Sequence, residues 1–211
     1  MTLETPEEYY ARIAAATDAE GRLPVAVEEM PGWDIYPYEI ASLRIKPLRP
    51  LDDEEPPRRG EDPAECWCND PGAQLSVAGT AWSNERWRLV LAQETRVPAW
   101  LILEPLTHCD LATVPDDLAE EMGRLVVAVA AAMEELPSVG RAQLYRFGDG
   151  GAHLHLMFLG RPRRILQLRG SPLLDWEENL PLVPTDVHRA NAAHVGARLR
   201  ERFGGDGPSW L

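Results

Sequence analysis

The longest helical pattern in the chain lies in its middle, with strand-like runs on both sides. The segment VPDDLAEEMGRLVVAVAAAMEELPSVG, residues 114–140, opens with a proline and acidic residues and closes at Pro137 and Gly140, which are typical helix boundaries. Its apolar residues recur at helical spacing. They are Leu118, Met122, Leu125, Val126, Val129, Met133 and Leu136. The order of strands, a long helix and further strands constrains the fold more than any other feature.

Short runs rich in Val, Leu, Ile and Trp predict the strands. QLSVAGTAWS, ERWRLVLAQE and AWLILEPL precede the helix, and RAQLYRFG and AHLHLMFLG follow it, joined through GDGG. The alternating β–α–β pattern of a doubly wound fold is missing. We therefore expect an α+β fold with a mainly antiparallel sheet of about five strands and the long helix packed on it.

The chain of 211 residues divides into three parts by pattern. Residues 1–60 form an N-terminal extension with a short helix from Pro6, irregular strands and a charged, proline-rich loop. Residues 61–170 form the central domain, and residues 171–211 a C-terminal extension, irregular at first and then ending in the helix DVHRANAAHVGARLRERF. Three roles fit the extensions: covering a sheet edge, forming the contact of a homodimer, or closing over a site.

Composition excludes several classes of protein. A net charge of −13 argues against a general binder of nucleic-acid polymers. No run of apolar residues is long enough for a membrane span, and the acidic start lacks the pattern of a signal peptide, so we expect a cytoplasmic protein. Three cysteines are too few for a disulfide framework and favour metal or thiol chemistry. Residues 138–170 differ from the rest, since six arginines against one acid give a local charge of +5, which favours an anionic small ligand.

Two histidines stand two residues apart in AHLHLMFLG. On a strand, His153 and His155 face the same way, followed by Met157, while Leu154, Leu156 and Phe158 face the core. An imidazole serves as a metal ligand, or as a base or nucleophile near neutral pH. The pair also has partners for a zinc site of two cysteines and two histidines, although Cys-x-Cys is tighter than the usual Cys-x2-Cys. Those partners are Cys66 and Cys68 in ECWC and His108 in LTHCD.

Five segments, taken in order, resemble the histidine-triad (HIT) superfamily. Its members share a Cys-x2-Cys, a strand pair, a V-x-P-x-x-H segment, a long helix opened by acids, and a strand with H-φ-H-φ-H-φ-φ, where φ is apolar. The matching segments are CWC, SNERWRLVLAQE, LILEPLTH, VPDDLAEEMGRLVVAVAAAM and HLHLMFL, spread over about 100 of the 211 residues. The fold expected for the central domain is therefore HIT-like.

The resemblance implies roles for both histidines. His155 would be the nucleophile that attacks the α-phosphorus of a nucleotide and forms a covalent nucleotidyl-histidine, while His153 orients the site. In zinc-bearing members and the related galactose-1-phosphate uridylyltransferases, the first histidine joins two cysteines and an upstream histidine around the metal. That implies a structural zinc held by the same four residues: Cys66, Cys68, His108 and His153.

Three departures separate the chain from the family. Met157 stands where the triad has its third histidine and the uridylyltransferases have glutamine, and methionine donates no hydrogen bond. FGDGGA replaces the usual phosphate-binding stretch, and the cysteine pair is one residue short. A second register, with Gly151 first, His153 second and His155 third, fits the trailing apolar residues less well.

The loop before the histidines completes the predicted site. The amides of Gly148, Gly150 and Gly151 are candidates to cradle phosphate oxygens, and Arg146 and Arg161 to offset charge on the transferred group. We therefore predict a HIT-type nucleotide phosphohydrolase or nucleotidyltransferase. The alternatives are a HIT-fold protein that binds a nucleotide or partner without turnover, as Met157 suggests, and a zinc-stabilised interaction protein.

Overall fold

The computed structural model describes residues 11, 14–23, 47, 49–50, 53–69 and 77–210. The chain divides into two compact units, Met1–Pro56 and Pro57–Leu211. In the first unit, Ala11 and Ala14 are helical, and Asp18 accepts hydrogen bonds from the backbone amides of Glu20 and Arg22. The remainder of the helix expected from Pro6 and the irregular strands expected after it lie almost wholly outside the described residues.

The second unit is built on one five-stranded antiparallel sheet. The strands are β1 (Val77–Ser83), β2 (Trp87–Ala92), β3 (Trp100–Pro105), β4 (Val139–Tyr145) and β5 (Leu156–Pro162), and the helices are α1 (Asp116–Glu134), α2 (Leu173–Glu177) and α3 (Thr185–Phe203). Their order across the sheet is β1-β2-β3-β5-β4, and every neighbouring pair is antiparallel. This confirms the predicted α+β fold with a helix packed on an antiparallel sheet.

Helix α1 covers one face of the sheet with the stripe read from the sequence. Five of its seven predicted members are buried, and Met122 and Val126 pack against the same core. The helix starts after Pro115, which needs no amide donor there, and two acids complement the positive end of the helix dipole. At its other end, the guanidinium of Arg163 donates to the carbonyls of Glu134, Leu136 and Val139. Carbonyls that the helix leaves unpaired thus find partners.

The final helix belongs to the same core. Ala192, Val195 and Leu199 of α3 are fully buried and pack with Ala81 and Trp82 of β1 in the cluster that also holds the α1 stripe. The helix ends at Gly204, whose φ of 71° is a left-handed conformation that glycine adopts without strain. No helix of the described ranges is both long and apolar enough to cross a membrane.

A smaller apolar cluster covers part of the opposite face of the sheet. Val97, Leu159, Leu168 and Leu173 are its buried members. Met157, Trp100 and Tyr145 pack against it. Leu173 belongs to α2, a short helix in a segment for which the sequence predicted irregular structure. The two faces of the sheet therefore differ, since α1 covers one, and polar residues stand beside apolar ones on the other.

Strand β5 begins later than the sequence predicted. The two histidines were expected inside it, but it starts at Leu156, and they lie in the irregular segment just before, with His153 in a bend. That segment bonds to loops instead of a neighbouring strand, because Ala152 donates to the carbonyl of Arg59 and Leu154 to that of Cys109. The alternation of faces still holds, since Leu154, Leu156 and Phe158 all lie in the main core.

Candidate functional site

The four predicted metal ligands meet in space. One ligand atom from each of Cys66, Cys68, His108 and His153 lies within 4.8 Å of the other three. The cysteines stand in a turn after a short 3-10 helix, Pro63–Glu65, while His108 follows β3 and His153 precedes β5. Three segments distant in sequence thus converge at the ends of two neighbouring strands.

Hydrogen bonds decide which nitrogen of His153 faces the cluster. Its Nε2 lies 2.8 Å from the carbonyl oxygen of Pro105, and a carbonyl only accepts, so Nε2 carries the proton and donates it. Nδ1 is then the unprotonated nitrogen, and it lies 3.4 Å from Sγ of Cys66. Nδ1 of His108 lies 3.7 Å from Sγ of Cys68 in the same way. Metal-bound histidines commonly donate their second N–H to a carbonyl, and His153 has that arrangement.

The pKa values of His153 and Cys68 are compatible with the binding of a metal cation by the cluster. Burial lowers the pKa of His153 to about 4, so its imidazole is neutral near pH 7, the form that binds metals. Burial, together with the neighbouring Cys66, raises the pKa of the Cys68 thiol to about 12. A bound cation reverses that effect, because it stabilises the thiolate form directly. Two sulfurs and two imidazole nitrogens are the donor set that zinc prefers in tetrahedral sites, and the cluster could bind this metal.

Trp67 occupies the single position between the two cysteines. Its ring centroid lies 4.8 Å from that of His153, and the guanidinium carbon of Arg88 lies 3.5 Å from the Trp67 ring centroid. The residue between the two cysteines therefore places an aromatic side chain between the candidate ligand His153 and the half-buried guanidinium of Arg88. This contact links the candidate metal cluster to β2.

His155 has one nitrogen held and is half-buried. Its Nδ1 lies 2.7 Å from the backbone carbonyl oxygen of His153, so Nδ1 carries the proton and Nε2 has a lone pair. The glycine loop lies beside the His155 ring, because a Cβ placed on Gly151 would stand 4.0 Å from Cε1 of His155. The carbonyl of a candidate metal ligand thus fixes the tautomer of the candidate nucleophile.

An ion pair between half-buried Arg88 and buried Glu104 was missed by sequence reasoning. Nε of Arg88 donates to Oε1 of Glu104 at 2.6 Å, and Nη2 lies 2.5 Å from the same oxygen. The two residues pair directly across β2 and β3. A glutamate within the apolar run LILEP and an arginine within RWRLVLA were the available signals, because charged residues inside strands are rarely buried unless paired.

The loop before the histidines is tied down by a second ion network. Asp110 pairs with Arg146 through one oxygen and with Arg58 through the other, the latter at 2.6 Å. Arg58 also donates to the carbonyl of Gly148 at 3.2 Å, and the amide of Arg59 donates to the carbonyl of Gly150. Arg146, a predicted phosphate ligand, therefore lies beside the loop with its charge already paired.

The amides of the three loop glycines remain available as hydrogen-bond donors to an anion, but they do not form a nest, in which successive amides converge on one ion. None of Gly148, Gly150 and Gly151 has a positive φ, so the alternating-hand backbone of a nest is not formed. Among the described residues, none accepts a hydrogen bond from these three amides. At Gly148 a Cβ would stand 2.2 Å from Nη1 of Arg146, so a larger residue there would displace the end of that side chain.

Two predicted positions lie away from this arrangement. Arg161 stands near the far end of β5 from His155, where its guanidinium lies against Gly140 and donates to the carbonyl of Pro162. Six residues of extended chain span roughly 20 Å, so Arg161 does not reach a group bound at His155. Met157 packs against the smaller apolar cluster, with Trp100 and Tyr145 beside it, and so offers the site no polar group.

Comparisons with known proteins return folds but no family assignment. No family model and no curated protein matches the chain. Among solved structures, a Hit-like protein involved in cell-cycle regulation from Bartonella henselae is similar with a TM-score of 0.44 and 15% identity, over 60% of this chain and 88% of that one. A histidine triad protein from Marinobacter aquaeolei VT8 gives a TM-score of 0.44 and 21% identity over 58% and 85%.

A Zn-bound histidine triad family protein from Mycobacterium smegmatis gives a TM-score of 0.42 and 17% identity, over 62% of this chain and 88% of that one. At identities and TM-scores this low the likenesses do not assign a function. The site is therefore interpreted from its own atoms.

Proposed function

We propose that this chain is a HIT-type nucleotide phosphohydrolase or nucleotidyltransferase in which His155 forms a covalent bond to the α-phosphorus of its substrate. The observation that carries the proposal is the 2.7 Å hydrogen bond between Nδ1 of His155 and the His153 carbonyl. A nucleophilic imidazole must be neutral and held in one tautomer. The bond supplies the second condition, because it holds the proton on Nδ1 of the neutral ring and leaves the lone pair on Nε2.

The first chemical step follows from that tautomer. The lone pair of Nε2 attacks the α-phosphorus, the P–N bond forms, and the P–O bond to the leaving group breaks with its electrons going to that oxygen. The proton on Nδ1 stays in its hydrogen bond throughout. In the second step the oxygen of water or of another hydroxyl acceptor attacks phosphorus and gives up its proton to solvent, while the P–N bond breaks with its electrons returning to Nε2 of His155.

The substrate is proposed to bind along the glycine loop. The amides of Gly148, Gly150 and Gly151 are the donors for phosphate oxygens, and Arg146 is the nearest predicted cation, held beside them by Asp110. We leave Arg161 out of the proposed site because of its distance along β5. A nucleotide or a related phosphate compound is the proposed ligand class, since the loop offers donors to anionic oxygens.

Zinc is proposed as a structural metal. Cys66, Cys68, His108 and His153 would hold it, and it would supply no more than the cross-link of three segments. His153 then has two tasks in the protein itself. Its side chain belongs to the metal cluster, and its backbone carbonyl orients His155.

A second candidate function is nucleotide binding without turnover. The packing of Met157 into the smaller apolar cluster favours it, because the third position of the motif has no hydrogen-bond donor. In that case the loop amides retain a ligand that His155 never attacks. The cytoplasmic location and the homodimer expected from the sequence stay predictions beside either candidate.

The test is incubation with dinucleoside polyphosphates and nucleoside phosphoramidates labelled at the α-phosphate. Quenched protein is then assayed for an acid-labile, base-stable phosphohistidine. We expect a labelled adduct and mononucleotide release in the natural protein and neither in His155→Ala. Nucleotide binding by the natural protein with no adduct and no release would replace the first candidate with the second.

A further inference from the structure

The ion pair of Arg88 and Glu104 lies close to His155. Arg88 pairs with Glu104 across β2 and β3, and Leu103 of β3 pairs with Leu156 of β5. Glu104 and His155 are the next residues of the two segments, just beyond this last pair, and their side chains interact electrostatically. The carboxylate and the candidate nucleophile are therefore neighbours on the face of the sheet that α1 does not cover.

The two oxygens of Glu104 differ in their surroundings. Oε1 takes both contacts from the guanidinium of Arg88, at 2.6 Å from Nε and 2.5 Å from Nη2. Within the described part of the chain, no residue donates a hydrogen bond to Oε2. Asp110, the other paired carboxylate near the loop, has each oxygen held by a different arginine. Glu104 alone of the two keeps an oxygen open to accept a proton.

We propose that Glu104 is the general base that activates water for the second step. This inference rests on the proposed function of His155. Water attacks the phosphorus of the nucleotidyl-histidine, and its proton goes to Oε2 of Glu104. A P–O bond forms as the P–Nε2 bond breaks, and the electron pair returns to Nε2. Glu104 then releases the proton to solvent as the mononucleotide leaves.

The surroundings of Glu104 suit a base. Arg88 holds the carboxylate in place from one side, and Trp67 packs over Arg88 in turn. Burial raises the pKa of Glu104, while the charge and hydrogen bond of Arg88 oppose the rise. A carboxylate with a raised pKa accepts a proton from water more readily than an exposed one.

The test compares breakdown of the adduct in Glu104→Gln with its breakdown in the natural protein. Each is mixed with an α-phosphate-labelled dinucleoside polyphosphate and quenched at successive times, and label on protein and free mononucleotide are both counted. In Glu104→Gln we expect the adduct to form at the natural rate and to accumulate, with hydrolysis slower by roughly 10²–10⁴-fold. Glu120→Gln, an exposed carboxylate on α1 and on the other side of the sheet, serves as the matched control.

Glu104→Asp is measured in parallel, because Glu104→Gln leaves the half-buried Arg88 without a counter-ion. The folding of both variants is checked by circular dichroism. The Glu104→Asp variant, with its shorter carboxylate side chain, should fold and should accumulate less adduct than Glu104→Gln. Natural hydrolysis rates in the folded variants, slower adduct formation instead of slower breakdown, or equal accumulation in Glu120→Gln would each overturn the role of Glu104. A natural protein that neither forms adduct nor releases mononucleotide overturns the proposed function itself, so the two failures are distinct.

Discussion

Gly196 of α3 lies against the backbone carbonyl of Ala81 in β1, so close that a Cβ on Gly196 would stand 2.2 Å from that oxygen. Real Cβ atoms do not approach an oxygen to that distance, so any larger residue must move the helix away from the sheet. Because α3 also buries Ala192, Val195 and Leu199, the contact determines how deeply the final helix enters the core.

Gly196→Ala should destabilise the protein. The obstructing atom is backbone, which has no alternative rotamer, so the strain falls on the packing of α3 against β1. We expect the free energy of unfolding to decrease by about 2–3 kcal/mol, as for other overpacked sites. Gly123→Ala is the control, since that helical glycine has nothing within 4 Å of its Cβ position, and it should stabilise by about 0.5–1 kcal/mol. Urea denaturation measures both, and equal effects of the two changes would contradict the packing.

Loss of a cysteine from the candidate metal cluster should abolish zinc binding. The purified chain is expected to carry about one zinc ion, and Cys66→Ser to bind it at least roughly 100-fold more weakly, because even partners of ligands cost 10- to 100-fold. Metal content by elemental analysis and affinity by competition with a chromophoric chelator give the result. Chelation should also lower the unfolding midpoint, since a ligand that binds only the folded state stabilises it.

Cys109→Ala provides the matched control for the metal. Cys109 is a buried thiol next to His108 in sequence, yet it is outside the group of four ligand atoms. Its loss should leave zinc content unchanged. Zinc lost equally from both cysteine variants would mean that the thiols contribute to folding instead of to coordination.

Asp110→Asn should loosen the loop that carries the three glycines. Asparagine keeps the hydrogen bond to the amide of Leu111, so the substitution isolates the charge that Arg58 and Arg146 share. We expect stability to fall by about 1–3 kcal/mol, the range for hydrogen bonds to charged groups. Glu61→Gln removes an exposed partner 3.7 Å from Arg58 and should change stability by less than about 0.5 kcal/mol. Thermal unfolding monitored by circular dichroism separates the two.

His188 should make stability depend on pH. Burial lowers its pKa below the ordinary 6.5, and its Nε2 lies 3.3 Å from the carbonyl of Trp100. Below pH 6.5 the unfolded chain binds a proton that the folded chain refuses, so this residue lowers stability as pH falls from 6.5 towards its depressed pKa and has no effect above. The decline amounts to at most about 1.4 kcal/mol per pH unit.

Denaturant titrations at successive pH values check that slope. His188→Gln should remove this part of the pH dependence, whereas His194→Gln, an exposed histidine beside Glu135, should retain it. Both variants keep the metal cluster, so any pH dependence that arises there cancels in the comparison. Parallel curves for the natural protein and His188→Gln would contradict the expected role.

The sequence predicted the elements whose signals are local. The α1 stripe, the runs that became β1 to β3 and the final helix all follow from periodicity and boundary residues. The start of β5 did not follow from them, because side chains alternate between two faces in any extended segment, whether or not it pairs in a sheet. Residues before Leu156 alternate in the same way while bonding to Arg59 and Cys109, and no local pattern distinguishes loop partners from a strand.

The candidate site likewise contains features that the sequence could predict and features that it could not. The four metal ligands were identified from residue type, and their spacing in three segments agrees with the geometry. The pairing of Arg146 with Asp110 and of Arg88 with Glu104 depends on which segments become neighbours, which residue type does not encode. Arg161 was grouped with the site by its charge and its place in the chain, although strand length separates them.

The strand order has a consequence for how the protein is made. Strand β5 lies between β3 and β4, so the sheet stays in two pieces until the last strand is synthesised. The residues that arrive just before it, His153 and His155, include the fourth member of the candidate metal cluster. A nascent chain that ends at β4 thus has three of the four candidate ligands and no strand joining β3 to β4. Joining of the two parts of the sheet and completion of the candidate cluster therefore depend on the same short stretch of chain.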